Sequence, residues 1–124
     1  MLLGEGQLDG VRVLEPRTVR RAVAETSYLE VDLTLLLPVR YGMGFMLGAK
    51  VASVYGLDTP RAFGHVGFTN VFVWADPDRD LCAALLTTGK PALAPMVART
   101  WWLLSTIARR VPRVPRRQAW LRSA

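Results

Sequence analysis

Apolar and polar positions alternate with the period of a strand in several stretches of this chain and recur with the period of a helix in two. The densest stretch is residues 62–89, AFGHVGFTNVFVWADPDRDLCAALLTTG. Two apolar, β-prone runs, 63–75 and 81–88, flank the turn-forming cluster Asp76-Pro77-Asp78-Arg79-Asp80, which predicts a hairpin. Within the first run, Val71, Val73 and Ala75 alternate with Phe72 and Trp74, so both faces are apolar and both are expected to lie under helices. Residues 39–49 predict another strand, with Tyr41, Met43, Phe45 and Leu47 on one face and Gly42 and Gly44 on the other. A short alternation through Val11 and Val13 precedes Pro16, which suits the first turn of a helix over 16–25 with Val19 and Val23 as its inner stripe. Pro95 opens a second helix whose inner stripe is Val97, Trp101, Leu104, Ala108 and Val111, and Pro112 ends it. Residues 26–38 suit either a loop packed on the core or a short buried segment ended by Pro38, and 50–61 read as loop around Gly56, Asp58 and Pro60.

Charge changes this picture at one end only. Through Ala98 there are nine basic and ten acidic residues; from Arg99 onward there are seven arginines and no acid. The net charge of +6 therefore describes the C-terminal segment, and residues 112–124, rich in Pro and Arg, cannot pack a core of their own. A solvated tail is favoured there over contact with anionic lipid or nucleic acid through Trp120 and Leu121, and no nucleic-acid partner is expected. A chain of 124 residues makes one small domain at most. No uncharged run approaches the ~20 residues needed to cross a bilayer, and Glu5 interrupts the short apolar start Met1-Leu2-Leu3, against a secretory signal; the compartment stays open.

Candidate chemistry narrows to one place. Cys82 is the only cysteine, which rules out an intrachain disulfide and a cysteine-cluster zinc site, and its apolar run predicts an inert core thiol. Asp76, Asp78 and Asp80 invite a calcium reading, but a loop of the EF-hand kind starting at Asp76 needs glycine at Leu81 and glutamate at Thr87, so a turn is the better reading. Gly89-Lys90 is not a phosphate loop, since Ala84 replaces its first glycine. No metal or other cofactor is expected. His65, the only histidine, stands in Gly64-His65-Val66-Gly67, where glycines let a backbone approach a ligand closely. A lone histidine satisfied by a neighbouring carbonyl is the plain alternative.

Tyr41-Gly42-Met43-Gly44-Phe45, Gly64-His65-Val66-Gly67-Phe68-Thr69, the hairpin through Asp76-Pro77, and Leu85-Leu86-Thr87-Thr88-Gly89 before a closing helix together resemble the C-terminal part of the serine β-lactamase and penicillin-binding protein superfamily, nearest its class C-like esterase branch. The likeness spans about residues 1–107, including Gly10-Val11-Arg12-Val13-Leu14-Glu15-Pro16 at the start of the first helix. It implies an α+β fold, a partial β-lactamase-like domain over 1–111. In that fold an antiparallel sheet of three main strands and a short one has a helix before it and a C-terminal helix packed on it. It implies that His65-Val66-Gly67 takes the place of the family's Lys-Thr-Gly or His-x-Gly triplet on the strand lining the catalytic cleft, with His65 contributing hydrogen bonds and the backbone NH of Phe68 one half of the oxyanion hole. Val66, Gly67, Thr69 and Asn70 would line the substrate. Val66 departs from the family's hydroxyl residue, and Asn70 stands where relatives often carry a small one. The resemblance also implies that strand 81–88 pairs with an upstream strand, leaving here a long apolar edge.

The family's Ser-x-x-Lys and Tyr-x-Asn or Tyr-x-Ser motifs are not in this sequence: no serine is followed three residues on by lysine, and Tyr28, Tyr41 and Tyr55 are followed two on by Glu30, Met43 and Leu57. The expectation is a C-terminal fragment of a serine hydrolase acting on small-molecule esters or amides, inactive by itself and completed by an N-terminal portion of the same fold. Two other readings stand beside it: a non-catalytic module that docks through its strand edge and arginine tail, and the product of a truncated frame.

Overall fold

The computed structural model describes residues 1–33, 37–67, 69–88 and 94–115. In chain order they form β1 (Gln7–Leu8), β2 (Val11–Arg12), α1 (Pro16–Ala22), β3 (Ser27–Asp32), β4 (Leu37–Tyr41), β5 (Met46–Leu47), β6 (Ala52–Ser53), β7 (Gly56–Leu57), β8 (Phe63–Gly67), β9 (Val71–Asp76), β10 (Leu81–Leu85) and α2 (Ala94–Arg110). One antiparallel sheet runs β10-β9-β8-β5-β4-β3, and β1-β2 and β6-β7 are separate small hairpins. This is the expected α+β architecture, with a helix before the sheet and a longer one packed on it, though six strands share the sheet.

The extra strands arise where a run that alternates throughout is cut by a turn. Residues 63–75 are not one strand: Gly67 pairs with Val71, the amide of Asn70 donates to the carbonyl of Gly67 at 3.0 Å, and Asn70 sits at φ +58°. A three-residue hairpin loop closed by a residue in the left-handed region is a standard connection, and asparagine tolerates that region. Residues 39–49 are cut in the same way, because Gly44 takes φ +86° and the Gly42 amide donates to the Phe45 carbonyl at 2.8 Å. Met43 therefore lies at a turn, 67% exposed, rather than on a strand face with Tyr41. Asp9-Gly10, with φ of +49° and +80°, makes the two-residue turn between β1 and β2. Of the ambiguous stretch 26–38, β3 and the start of β4 are strands, and 34–36 lie outside the described residues.

The hairpin through Asp76-Pro77-Asp78-Arg79-Asp80 forms as the sequence predicts, Asp76 pairing with Leu81. Asp76 organises it: its Oδ1 accepts the Asp78 amide at 3.0 Å and its carbonyl accepts the Arg79 amide at 3.1 Å. These are the local bonds of an aspartate turn, not a cation shell.

Strand alternation sorts the sheet into two faces. On one, Val39, Met46, Phe72 and Trp74 form a buried cluster with Tyr55 and Leu104, so α2 covers this face together with the β6-β7 hairpin. Gly56 makes the close approach possible, since a Cβ there would meet the Ser105 backbone at 2.7 Å. The predicted stripe on α2 holds at Leu104 and Ala108, 1% and 5% exposed, whereas Val97 at the helix start is 47% exposed. On the other face Leu47, Phe63 and Ala75 are buried under Leu2, Leu3, Val23 and Phe45, which come from the N-terminal segment, the end of α1 and the β4-β5 turn. That cover stops partway: Val73 is 50% exposed, against the expectation of helices on both sides. Cys82 is exposed on this same face, not buried in the core.

Arg79 ties the molecule together. Buried to 6%, it donates from Nη1 to Asp76 Oδ2 at 2.7 Å and to the Asp58 carbonyl at 3.0 Å, and from Nε to the carbonyl of Ala108 near the end of α2 at 2.8 Å. The segment after α2 joins this knot through an Arg113–Asp58 ion pair at 2.7 Å and a bond from the Val114 amide to the Asp78 carbonyl at 2.8 Å. The basic segment is thus held to the fold as far as Val114; residues 116–124 lie outside the described residues.

Candidate functional site

β8 lies inside the sheet, hydrogen-bonded to β5 on one side and β9 on the other. Along it Phe63, His65 and Gly67 share one face while Gly64 and Val66 share the other. His65 is exposed, opposite Val73 of β9, on the part of the sheet that the N-terminal segment leaves open. Its Nδ1 lies 3.0 Å from the Val66 carbonyl. In the tautomer protonated at Nδ1 this is a hydrogen bond, and Nε2 is then an acceptor facing outward. A carbonyl satisfies one ring nitrogen, and the rest of the imidazole is exposed on the uncovered part of the sheet.

The two glycines beside it have different reasons. A Cβ on Gly64 would come within 2.0 Å of the Val73 carbonyl oxygen and 2.6 Å of the Trp74 Cα, so this glycine is required by the packing of β8 on β9. A Cβ on Gly67 would meet nothing nearer than 3.6 Å, an ordinary contact. The fold itself does not require glycine at 67.

Val66 points the other way, into the cluster beneath α2 with Phe72 and Leu104. Asn70 is 5% exposed, and its Nδ2 donates to the hydroxyls of Thr87 and Thr100, each at 3.2 Å, while its carbonyl accepts from the Thr87 hydroxyl at 2.9 Å. Its side chain joins the β8-β9 turn to the segment after β10 and to α2. Thr69 is exposed at the turn. Phe68, whose amide the resemblance assigns to the oxyanion hole, lies outside the described residues. The structure therefore brings His65 and Gly67 to the open face, leaves Thr69 exposed at the turn, and turns Val66 and Asn70 inward.

The open face carries, besides His65 and Val73, Cys82 and Ala84 of β10 and Leu86 just beyond it, the last 76% exposed. β10 is the edge of the sheet, paired only with β9 among the described residues. A separate cavity of about 90 Å³ lies under the N-terminal segment, lined by Leu3, Val19, Arg61, Phe63 and Asp78 among others, and does not include His65. No group of three or more potential metal ligands occurs among the described residues.

The titration-shifted groups lie elsewhere. Burial, helped by a hydrogen bond to Asp32 and that residue's charge, pushes the Tyr41 phenol up to about 12. Burial likewise raises Tyr55, whose hydroxyl donates to the Met46 carbonyl at 3.2 Å, with Tyr41 adding to the shift. The hydrogen bonds from Arg40, two at 2.8 Å, hold the Glu25 carboxyl below its usual range. These groups tie the sheet to the segment after α1 and to the β6-β7 hairpin.

A family profile described as Beta-lactamase matches residues 3–107. The Esterase/beta-lactamase LipL of Mycobacterium tuberculosis (strain ATCC 25618 / H37Rv) is 28% identical over 81 residues, 65% of this chain and 18% of that protein. Among solved structures, a penicillin-binding protein homolog from Caulobacter crescentus superposes with a TM-score of 0.61 at 33% identity, covering 80% of this chain and 27% of that one. A family VIII carboxylesterase superposes with a TM-score of 0.59 at 20% identity over 83% of this chain and 28% of that one, a likeness of fold. The chain thus spans less than a third of the length of each of these proteins.

Proposed function

Because the chain belongs to the β-lactamase family, we propose that its open sheet face is one wall of the acyl-transfer cleft of a serine hydrolase acting on small esters or amides. The observation that carries this reading is the contrast along β8: His65 stands exposed on the uncovered face beside Gly67, a glycine the fold does not require, while the neighbouring Gly64 is sterically obliged. A missing side chain at 67 lets an extended substrate lie against the strand.

Acyl transfer through a serine ester needs a nucleophile, a base and an oxyanion hole. His65 offers the exposed Nε2 of its imidazole as a hydrogen-bond acceptor to the substrate or the leaving group. The Phe68 amide supplies one donor to the tetrahedral intermediate, a contribution of ~3 kcal/mol in sites of this kind. The nucleophile and its base come from an upstream portion of the polypeptide, which in this reading also covers Val73, Cys82 and Leu86 and pairs with the free edge of β10.

Labelling with a fluorophosphonate tests this. The 124-residue chain is expected to take up no label. The same chain joined behind the upstream portion of a homologous family hydrolase is expected to label, with a rate at least tenfold lower in His65→Ala at unchanged folding. Labelling of the chain by itself, or indifference of the joined protein to His65→Ala, overturns the proposal.

A further inference from the structure

We propose that the outer face of α2 docks the protein onto the surface of an anionic lipid bilayer. At ~100° per residue, Arg99, Trp102, Leu103, Thr106, Arg109 and Arg110 share the side of the helix opposite Leu104 and Ala108. Leu104 and Ala108 hold the helix to the sheet, whereas Trp102 is 63% and Leu103 41% exposed on the two flanks of the outer side. Arg99 and Arg110 are exposed between them and Arg109 beyond Trp102. α2 contains no acidic residue.

Arg20, Arg40, Arg61, Arg79 and Arg113 each have a carboxylate within ion-pair distance, whereas Arg12, Arg17 and Arg21 have none among the described residues. Arg99, Arg109 and Arg110 form no ion pair among the described residues; Arg109 makes only a bond from Nε to the Ser105 carbonyl at 3.3 Å. The acids of the chain all lie before residue 81, and every charge after Lys90 is an arginine. Three cations without counter-charges, set around an indole and a leucine, complement a sheet of anionic headgroups over an apolar interior. Tryptophan favours that boundary, and arginine stems lie along apolar surface while their heads reach phosphate. No helix among the described residues is long and apolar enough to cross a membrane, so the contact is superficial. Leu103 beside Trp102 favours lipid over nucleic acid, where a basic groove with stacking aromatics is the pattern. The inference is independent of the cleft, which faces the other side of the sheet.

The test is cosedimentation of the full 124-residue chain with 100 nm vesicles of phosphatidylcholine and phosphatidylglycerol, 7:3, against vesicles of phosphatidylcholine only, at low and high salt. Binding is expected with the anionic vesicles at about 0.1 M salt and about tenfold weaker with neutral ones or at 0.5 M salt. Arg99→Gln/Arg110→Gln is expected to weaken binding about tenfold or more, at roughly fivefold per arginine, and Trp102→Ser at least about fivefold. All these positions are exposed, so melting temperatures should be unchanged. Equal binding to neutral vesicles, or variants that bind like the parent chain, overturns the proposal. So does displacement of the vesicles by duplex DNA at equal phosphate concentration, which would make nucleic acid the partner. A dimer that Trp102→Ser dissolves would place a second copy on the face and overturn it equally.

Discussion

Gly64 and Gly67 look equivalent in the sequence, each flanking the same dipeptide, and the structure separates them. Gly64→Ala would force its Cβ onto the Val73 carbonyl and Trp74, and a destabilisation of about 3 kcal/mol or outright failure to fold is expected in urea unfolding. Gly67→Ala should stay within about 1 kcal/mol of the parent. Asn70 makes a third case, since the left-handed backbone and two buried hydrogen bonds both depend on it. Asn70→Ala is expected to cost about 2–3 kcal/mol, and Asn70→Gly to recover only the backbone share, about 1 kcal/mol. Tyr41 gives a pH signature. Its phenol titrates at about 12 in the folded chain and lower when unfolded, so the unfolded state loses this proton first as pH rises. The stability from keeping the phenol protonated is therefore full below about pH 10 and falls away between about 10 and 12. An ultraviolet titration should lose the phenolate step near pH 12 in Tyr41→Phe while the other absorbance changes are retained.

Among the elements, α2 shows most clearly how packing and exposure divide along one helix. Leu104→Ala should cost about 2–5 kcal/mol, measured by denaturant unfolding. One turn of the same helix holds a second case: the Ser105 hydroxyl is buried without a hydrogen-bond partner among the described residues, so Ser105→Ala is expected to be neutral or stabilising by up to about 1 kcal/mol. Both helices and the aspartate turn were legible because caps, prolines and periodicity act within a few residues. The strand boundaries were less so. Phe68-Thr69-Asn70 carries only one turn-former, and its run alternates straight through, so 63–75 reads as a single strand until tertiary packing folds it back. Gly42 allows close packing, since a Cβ there would meet the Ala22 and Ala24 carbonyl oxygens at 2.7 and 2.9 Å, whereas Gly44 serves a turn through its positive φ. Asp9-Gly10 did carry a standard hairpin signal in plain view. At the candidate site, the place of His65 on a strand was legible from the motif, whereas the inward direction of Val66 and Asn70 depends on register with β9.

Taken as a unit, the molecule is closed by a group that local pattern disguises. Arg79 sits in a polar turn and reads as surface, but Asp58 and Ala108, 21 and 29 residues away in sequence, bury it. Arg79→Met leaves the Asp76 carboxylate buried without its cation, and a loss of about 3–5 kcal/mol is expected in urea unfolding. Arg79→Met/Asp76→Asn should regain part of that loss, because the stranded charge is gone. Such a knot reaches across the termini of three elements, and no window of sequence contains it.

The sheet is a partition one residue thick. His65 and Val66 are adjacent in the chain yet belong to separate chambers, one open and one sealed by the long helix. Substitutions at His65 and Gly67 can therefore accumulate without disturbing the cluster beneath that helix, and changes at Val66 are felt in the cluster before they reach the wall. Anything that grips the helix from outside leaves the imidazole turned toward the opposite medium, free to meet molecules arriving from there.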